Sequence, residues 1–184
     1  VLVIHEWWGH NPYVRRRAEQ LAAEGFVAFA LDMYGKGVLE TTFEGAGKQA
    51  GRFKDDRKLG RERARAGLDV LMKDEHVDPK KVAAIGYCFG GTTALEIARS
   101  GAPVKGVVSF HGALGTPTPA DATNIKGAVL VCHGAVDPFV PEKEVADFKK
   151  EMDTAKVNYT FIAYPGAVHS FTNPEVDAHN PNGA

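Results

Sequence analysis

The sequence predicts an α/β fold in which a mostly parallel sheet is flanked by helices on both faces. Apolar runs rich in β-branched residues alternate with helical patterns along almost the whole chain. This alternation is typical of parallel strands covered by helices. The chain has 184 residues, of which 44% are hydrophobic, as one globular core requires. We therefore expect residues 1–184 to form a single domain.

Six strands and four helical segments account for the pattern. Each strand is a short, continuous apolar run, and we place them at residues 1–6, 26–32, 81–87, 104–112, 127–134 and 158–165. The helices are expected at residues 11–25, 48–74, 91–101 and 141–155. The first has clear end signals: Asn11 as N-cap, Pro12 in the first turn and Gly25 at the end. A glycine-rich stretch precedes the second helix, and a Pro/Thr loop follows the fourth strand.

Composition and charge indicate which kinds of binding partner the protein is expected to have. The 22 basic and 23 acidic residues leave a net charge of −1, which argues against a nucleic-acid surface. No apolar run approaches the ~18 residues of a membrane span. The only cysteines, Cys88 and Cys132, do not form a disulfide framework, which favours a reducing compartment. We expect a cytoplasmic monomer or weak homodimer that binds a small molecule. The first residues already resemble a strand, so a preceding targeting segment stays possible.

The stretch IGYCFGG, residues 85–91, carries the first catalytic signal. It resembles the G-x-S-x-G turn on which many hydrolases mount a nucleophilic serine, with Cys88 in place of serine. It follows a strand and precedes a helix, and its glycines are what such a sharp turn needs. A thiol at a helix N-terminus is favoured as thiolate. We therefore predict that Cys88 is a nucleophile, whereas Cys132, within a strand, is expected to be buried and inert.

A cysteine nucleophile needs a base and a group that orients the base. In the hydrolase fold that carries this turn, nucleophile, acid and histidine follow one another in that chain order. Asp137 follows the fifth strand and His169 follows the sixth. The predicted triad is therefore Cys88, Asp137 and His169. The backbone N–H groups of Phe89 and Trp7 are the expected donors to the oxyanion.

No cofactor or metal is expected. HEWWGH resembles a zinc motif, but His5 and His10 are five residues apart and would not share a helix face. GAGK at 45–48 lacks the first glycine and the final Ser/Thr of a phosphate loop. His5, His111 and His133 follow or end strands, where they either line the pocket or make structural hydrogen bonds. The remaining histidines, His10, His76 and His179, are expected in loops.

Taken together, HEWWG, LDMYG, IGYCFGG, HGAVDPFVP and PGAVHSF resemble the dienelactone hydrolase family, also called carboxymethylenebutenolidases. The resemblance implies an α/β-hydrolase fold with the triad named above. It also implies that Glu6 contacts the resting thiol and modulates its ionisation. Compared with the family, the first strands and the last helix are missing, so the chain resembles a fragment of a longer one.

One departure from the family concerns the substrate. Members that act on dienelactone hold its carboxylate with arginines, one of them four residues after the catalytic histidine. Asn173 occupies that position here. Arg52, Arg57 and Arg61 are the arginines that could replace it.

The expected function is hydrolysis of activated esters or lactones through a thioester acyl-enzyme. A thioesterase or acyltransferase with the same triad is the first alternative. A catalytically silent binding or thiol-sensing protein on the hydrolase fold is the second.

Overall fold

The structure, a computed structural model, describes residues 1–175. Six strands form one sheet: β1 (Leu2–Ile4), β2 (Phe29–Leu31), β3 (Ala83–Tyr87), β4 (Gly106–Phe110), β5 (Ala128–Gly134) and β6 (Tyr159–Tyr164). Five α-helices and one 3₁₀ helix connect them: α1 (Pro12–Ala23), α2 (Phe43–Asp55), α3 (Arg57–Met72), α4 (Phe89–Arg99), the 3₁₀ helix (Pro119–Asn124) and α5 (Glu142–Thr154). His179, expected in a loop, lies outside the described residues.

The sheet has the order β2-β1-β3-β4-β5-β6, and all neighbouring strands are parallel. Helices α2 to α5 pack on one face, in a core that runs from Leu31 through Leu95 to Phe148. The opposite face packs on α1, where Val14 and Tyr13 meet Val3 and Tyr87. The predicted fold, a parallel sheet with helices on both faces, is therefore confirmed.

Helix α1 has the ends that the sequence predicts. The Asn11 side chain accepts a hydrogen bond from the Val14 N–H at 3.3 Å, and Pro12 is the first helical residue. Gly25 has a φ of +90°, a conformation that glycine adopts at little cost. Side-chain capping and a left-handed residue after the last turn thus define this helix at both ends.

The helical region expected at 48–74 was wrong in its bounds, because it is two helices and begins earlier. Thr42 caps α2 by accepting the Gly45 N–H at 3.1 Å. Asp56 then breaks the run: its φ and ψ of −118° and 85° are not helical, and its side chain accepts the Leu59 N–H as the cap of α3. The glycines of α2 lower helix propensity, which is why its first turn resembles a loop in the sequence.

Because all strands are parallel, their carboxyl ends meet at one edge of the sheet. Glu6 follows β1, Cys88 follows β3, His111 follows β4, Asp137 follows β5 and His169 follows β6. None of the helices within residues 1–175 has the length and apolar character that a membrane crossing requires.

Candidate active site

Cys88 occupies a strained turn between β3 and α4. It has a φ of 53° and a ψ of −116°, a conformation that side chains rarely adopt and that is found mainly at functional sites. Its backbone N–H donates to Phe110 O at 2.9 Å and to His111 Nδ1 at 3.1 Å. Within residues 1–175, four non-glycine residues have a positive φ, and Cys88, His111 and Ser170 are three of them. Backbone strain is thus concentrated around this turn.

Glycine is required at two positions of the turn by close backbone contacts. A Cβ on Gly86 would lie 1.9 Å from Gly90 O, and one on Gly90 would lie 2.3 Å from Ile4 O. We expect Gly86→Ala to lower the free energy of unfolding by about 3 kcal/mol, because backbone must move to admit the methyl group. Urea unfolding measures this change.

The matched control is Gly51→Ala in α2, where the nearest atom to a new Cβ is Asp55 Oδ2 at 4.0 Å. This substitution should be neutral or stabilise by up to about 1 kcal/mol, because alanine favours helix. Equal effects of the two substitutions would contradict the close-packing argument for the turn.

The three residues of the predicted triad lie in hydrogen-bonding order. His169 Nε2 is 3.1 Å from Cys88 Sγ, and His169 Nδ1 is 2.8 Å from Asp137 Oδ2. The other oxygen, Asp137 Oδ1, accepts the Phe139 N–H at 2.9 Å. The Asp137 side chain is fully buried. Since the carboxylate accepts from Nδ1–H, the other ring nitrogen is directed at the sulfur.

The surroundings of His169 favour its protonated form. Burial alone would lower its pKa, but the hydrogen bonds to Asp137 and Cys88 outweigh burial and raise the pKa of His169 to about 10. Burial would raise the pKa of Asp137, but the contact with His169 and the Phe139 N–H lower it. An imidazolium between a carboxylate and a sulfur is an arrangement suited to nucleophilic catalysis by cysteine.

Trp7 and Phe89, whose backbone N–H groups are the predicted oxyanion donors, line the same cavity as Cys88. Phe89 is the first residue of α4, so its N–H has no partner within the helix. The carbonyl of Glu6, in the peptide that carries the Trp7 N–H, contacts His5 Nδ1. His5 Nε2 accepts the Met33 N–H at 3.1 Å, so Nδ1 carries the proton. Tyr34 OH donates to Trp7 O at 2.9 Å. Hydrogen bonds to Glu6 O and Trp7 O therefore fix both peptide groups that flank Trp7.

A cavity of about 470 Å³ opens in front of the thiol. Its wall is mostly apolar, and its aromatic residues are Trp7, Trp8, Phe43, Phe53, Phe89 and Phe139. Phe139 lies edge-on to the His169 ring, with centroids 5.1 Å apart. This size and lining suit a small organic molecule.

Comparison with known proteins identifies the family. The model of the dienelactone hydrolase family matches residues 1–184. The chain belongs to this family. It is 33% identical over 190 residues to an Aquifex aeolicus protein named as a carboxymethylenebutenolidase, covering all of this chain and 81% of that protein. A Bradyrhizobium protein named as a 2-oxo-3-(5-oxofuran-2-ylidene)propanoate lactonase is 31% identical, with 98% of this chain and 76% of that protein covered.

A solved structure supports the same family assignment. A dienelactone hydrolase-like promiscuous phosphotriesterase from metagenomic libraries is 40% identical and superposes with a TM-score of 0.92, over 99% of this chain and 76% of that one. The predicted family and the predicted enzyme class, a hydrolase of carboxylic ester bonds, are thus confirmed at the level of the dienelactone hydrolase family.

Glu6 binds two residues of the loop that carries His169. Its carboxylate is buried and accepts hydrogen bonds from Ser170 Oγ and Asn173 Nδ2, both at 3.1 Å. Burial raises the pKa of Glu6, although these two donors favour the ionised form. The Cys88 sulfur contacts His169 Nε2. Modulation of the thiol by Glu6 stays a prediction, and Ser170, the neighbour of His169, is the link through which it would act.

Asn173 is the position where dienelactone-binding members carry an arginine. Here it lines the cavity but uses its amide to bind Glu6, so it brings no positive charge. Arg52 does not line the cavity, whereas Arg57 and Arg61 do. Arg61 is paired with Glu96 at 2.9 Å and Asp121 at 2.7 Å.

Arg57 differs from Arg61. Within residues 1–175 it makes no ion pair; its guanidinium reaches only Gly115 O, at 3.5 Å, and its Nε is buried without a partner. Burial lowers the pKa of Arg57 despite the nearby Glu96. Of the two arginines that line the cavity, Arg57 is therefore the one without a direct carboxylate partner among the described residues.

Sequence reasoning left the roles of three histidines open. None of His5, His111 and His133 lines the cavity, and all three are buried. His5 and His111 make hydrogen bonds to backbone N–H groups next to the site. Sequence reasoning also missed Thr172, which contacts His111. No pattern in the sequence pairs two residues so far apart. Within residues 1–175, no group of three or more His, Cys, Asp or Glu is arranged to hold a metal ion.

Proposed function

We propose that the protein hydrolyses activated esters or lactones by acyl transfer to Cys88. The observation that carries the proposal is the ordered contact of Cys88 Sγ, His169 and Asp137 beside an apolar cavity. The relatives named as a carboxymethylenebutenolidase and a lactonase support the same bond type.

In the first step the thiolate of Cys88 attacks the carbonyl carbon. A C–S bond forms, and the π electrons move to the carbonyl oxygen, which accepts hydrogen bonds from the Phe89 and Trp7 N–H groups. Each such donor contributes about 3–4 kcal/mol to the transition state in enzymes where it has been removed. The C–O bond then breaks, and His169 Nε2–H gives its proton to the leaving oxygen. The product of this step is a thioester on Cys88.

In the second step water hydrolyses the thioester. His169 takes a proton from the water, whose oxygen attacks the carbonyl carbon, and the C–S bond breaks to return the thiolate. Because a thiolate is itself a good leaving group, the first adduct reverts unless the substrate's alcohol departs easily. This argues for enol lactones and activated esters over amides. Hydrolysis of p-nitrophenyl acetate by the protein and by Cys88→Ala tests the proposal.

We also propose that preferred substrates carry an anionic group, which Arg57 binds. Arg57 lines the cavity, makes no ion pair in the described part of the chain and has a buried Nε without a hydrogen-bond partner. A charge-assisted hydrogen bond to a substrate is worth about 1.5–3 kcal/mol, so we expect Arg57→Met to raise KM roughly tenfold or more. This rise should be seen for a p-nitrophenyl hemiester of a dicarboxylic acid, with KM for p-nitrophenyl acetate little changed.

The control for this prediction is Arg52→Met, which removes a guanidinium outside the cavity lining. It should leave both KM values close to those of the unchanged protein. If Arg57→Met raised KM for both esters to the same degree, Arg57 would be shaping the wall rather than binding an anion.

A further inference from the structure

His111 lies between the turn of the thiol and the loop of the base. It follows β4 directly, is fully buried and has a φ of 42°. Its Nδ1 is 3.1 Å from the Cys88 N–H donor, and its Nε2 is 2.8 Å from Thr172 Oγ1. Thr172 is three residues beyond His169 in the same loop. One imidazole ring therefore touches both segments that carry the proposed reacting groups.

The hydrogen bonds determine the tautomer of His111. A backbone N–H can only donate, so Nδ1 accepts and carries no proton. Nε2–H is then the donor, and the Thr172 hydroxyl accepts. Burial and the nearby charge of His169 lower the pKa of His111 to about 3. The ring is thus neutral and does not compete for the proton of His169, whose ring centroid is 5.3 Å away.

Thr172 is in turn fixed to α1. Its hydroxyl is 2.8 Å from Tyr13 OH, and its carbonyl accepts from the Arg17 guanidinium. Arg17 also lies over the rings of Tyr13 and Tyr87. The His169 loop therefore has one attachment to a helix on the far face of the sheet and another, through His111, to the turn that carries Cys88.

We propose that His111 is a positioning residue, which holds Cys88 and His169 in register through the chain Cys88 N–H, His111, Thr172 hydroxyl. The inference deepens the proposed function, on which its activity assay rests. Its physical basis is that a misplacement of about 1 Å can cost as much as a hundredfold in rate. A gap of 3.1 Å between His169 Nε2 and the sulfur leaves little tolerance for movement of either segment.

Two substitutions of Thr172 separate positioning from packing. Thr172→Val keeps the shape but removes the acceptor for His111, whereas Thr172→Ser keeps the hydroxyl. We expect Thr172→Val to lower kcat for p-nitrophenyl acetate about tenfold with KM within about twofold. The rate of Cys88 alkylation by iodoacetamide, with Cys88→Ala giving the background from Cys132, should fall about as much as kcat. Thr172→Ser should recover most of both rates.

A second variant tests His111 itself. His111→Asn can place its amide oxygen where Nδ1 accepts the Cys88 N–H, and asparagine tolerates a positive φ. It is too short to reach Thr172. We expect its alkylation rate to fall as in Thr172→Val, and the double variant to fall no further than either one, because both break the same chain.

Two results would overturn the inference. One is wild-type kcat and alkylation in Thr172→Val, with only the melting temperature lowered, which is what a purely structural role predicts. The other is an equal loss in Thr172→Ser and Thr172→Val. Alkylation needs no turnover, so it tests His111 even if the ester assay contradicts the proposed function.

Discussion

Cys88→Ala is expected to abolish hydrolysis of p-nitrophenyl acetate, lowering kcat/KM at least about a thousandfold. The reason is chemical: without the sulfur there is no thioester, and the remaining oxyanion donors act only on direct attack by water. Mass spectrometry of the unchanged protein, quenched during turnover, should show one acetyl group on Cys88, and the variant should show none. Circular dichroism and thermal unfolding establish that the variant is folded.

The chain offers its own control in Cys132. This residue is also a free cysteine at the carboxyl half of a strand, but it is buried in the sheet beside Tyr164 and does not line the cavity. Cys132→Ala should keep kcat/KM within about threefold of the unchanged protein. Removing its sulfur leaves a small cavity in the sheet, which lowers stability but does not move the reacting atoms. Equal hydrolysis by Cys88→Ala and the unchanged protein would refute the proposed mechanism. If the protein showed no turnover although Cys88 was readily alkylated, the result would favour the catalytically silent, thiol-sensing alternative.

The proposed triad was accessible from the sequence because its geometry follows from topology. Strand order decides which chain segments meet at the carboxyl edge, and Cys88, Asp137 and His169 each follow a strand of a parallel sheet. That these three residues lie close together can therefore be predicted without knowing how the side chains pack. The same argument placed Glu6 at this edge but not its partners, because which of Ser170, Asn173 or the thiol it binds depends on rotamers within one loop.

The features that the sequence did not predict depend on contacts between loops. His111 and Thr172 are 61 residues apart, and no periodicity links them. The division between α2 and α3 depends on the single dihedral pair of Asp56, within a run whose charges resemble one continuous helix face. Arg57 and Arg61 look equivalent in the sequence, yet only Arg61 has acidic partners among the described residues, because Glu96 and Asp121 come from α4 and the 3₁₀ helix.

Asp137→Asn should cost nearly as much activity as loss of the thiol. Phe139 N–H donates to Oδ1 at 2.9 Å, and this contact would hold the oxygen of an introduced amide. The amide NH₂ would then face His169 Nδ1, which would have to accept. The remaining proton would move to Nε2 and the neutral ring could no longer take a proton there. We expect kcat/KM to fall about a thousandfold or more, as for the wrong tautomer in other triads.

The pH dependence of this variant gives a second, independent result. Contacts with Asp137 and Cys88 raise the pKa of His169 to about 10, so its stabilising contribution is complete below the ordinary histidine value and is lost as pH rises through about 10. The pKa of Asp137 is lowered, so its contribution is present above its ordinary value and is lost as pH falls. The stability lost in Asp137→Asn should therefore be large at about pH 7 and shrink above about pH 10.

Urea unfolding at several pH values measures the loss of stability, and pH–rate profiles measure the change in activity. The unchanged protein should lose kcat/KM on the alkaline side near pH 10, as the imidazolium beside the sulfur deprotonates. In Asp137→Asn this limb should move to lower pH, because the contact with Asp137 is among those that raise the pKa of His169. Asp147→Asn is the control, since Asp147 is an exposed carboxylate paired with Lys143 and should leave the profile in place. If the alkaline limb stayed in place in Asp137→Asn, the carboxylate would not control the protonation of His169. That result would contradict the role of Asp137 in the proposed mechanism.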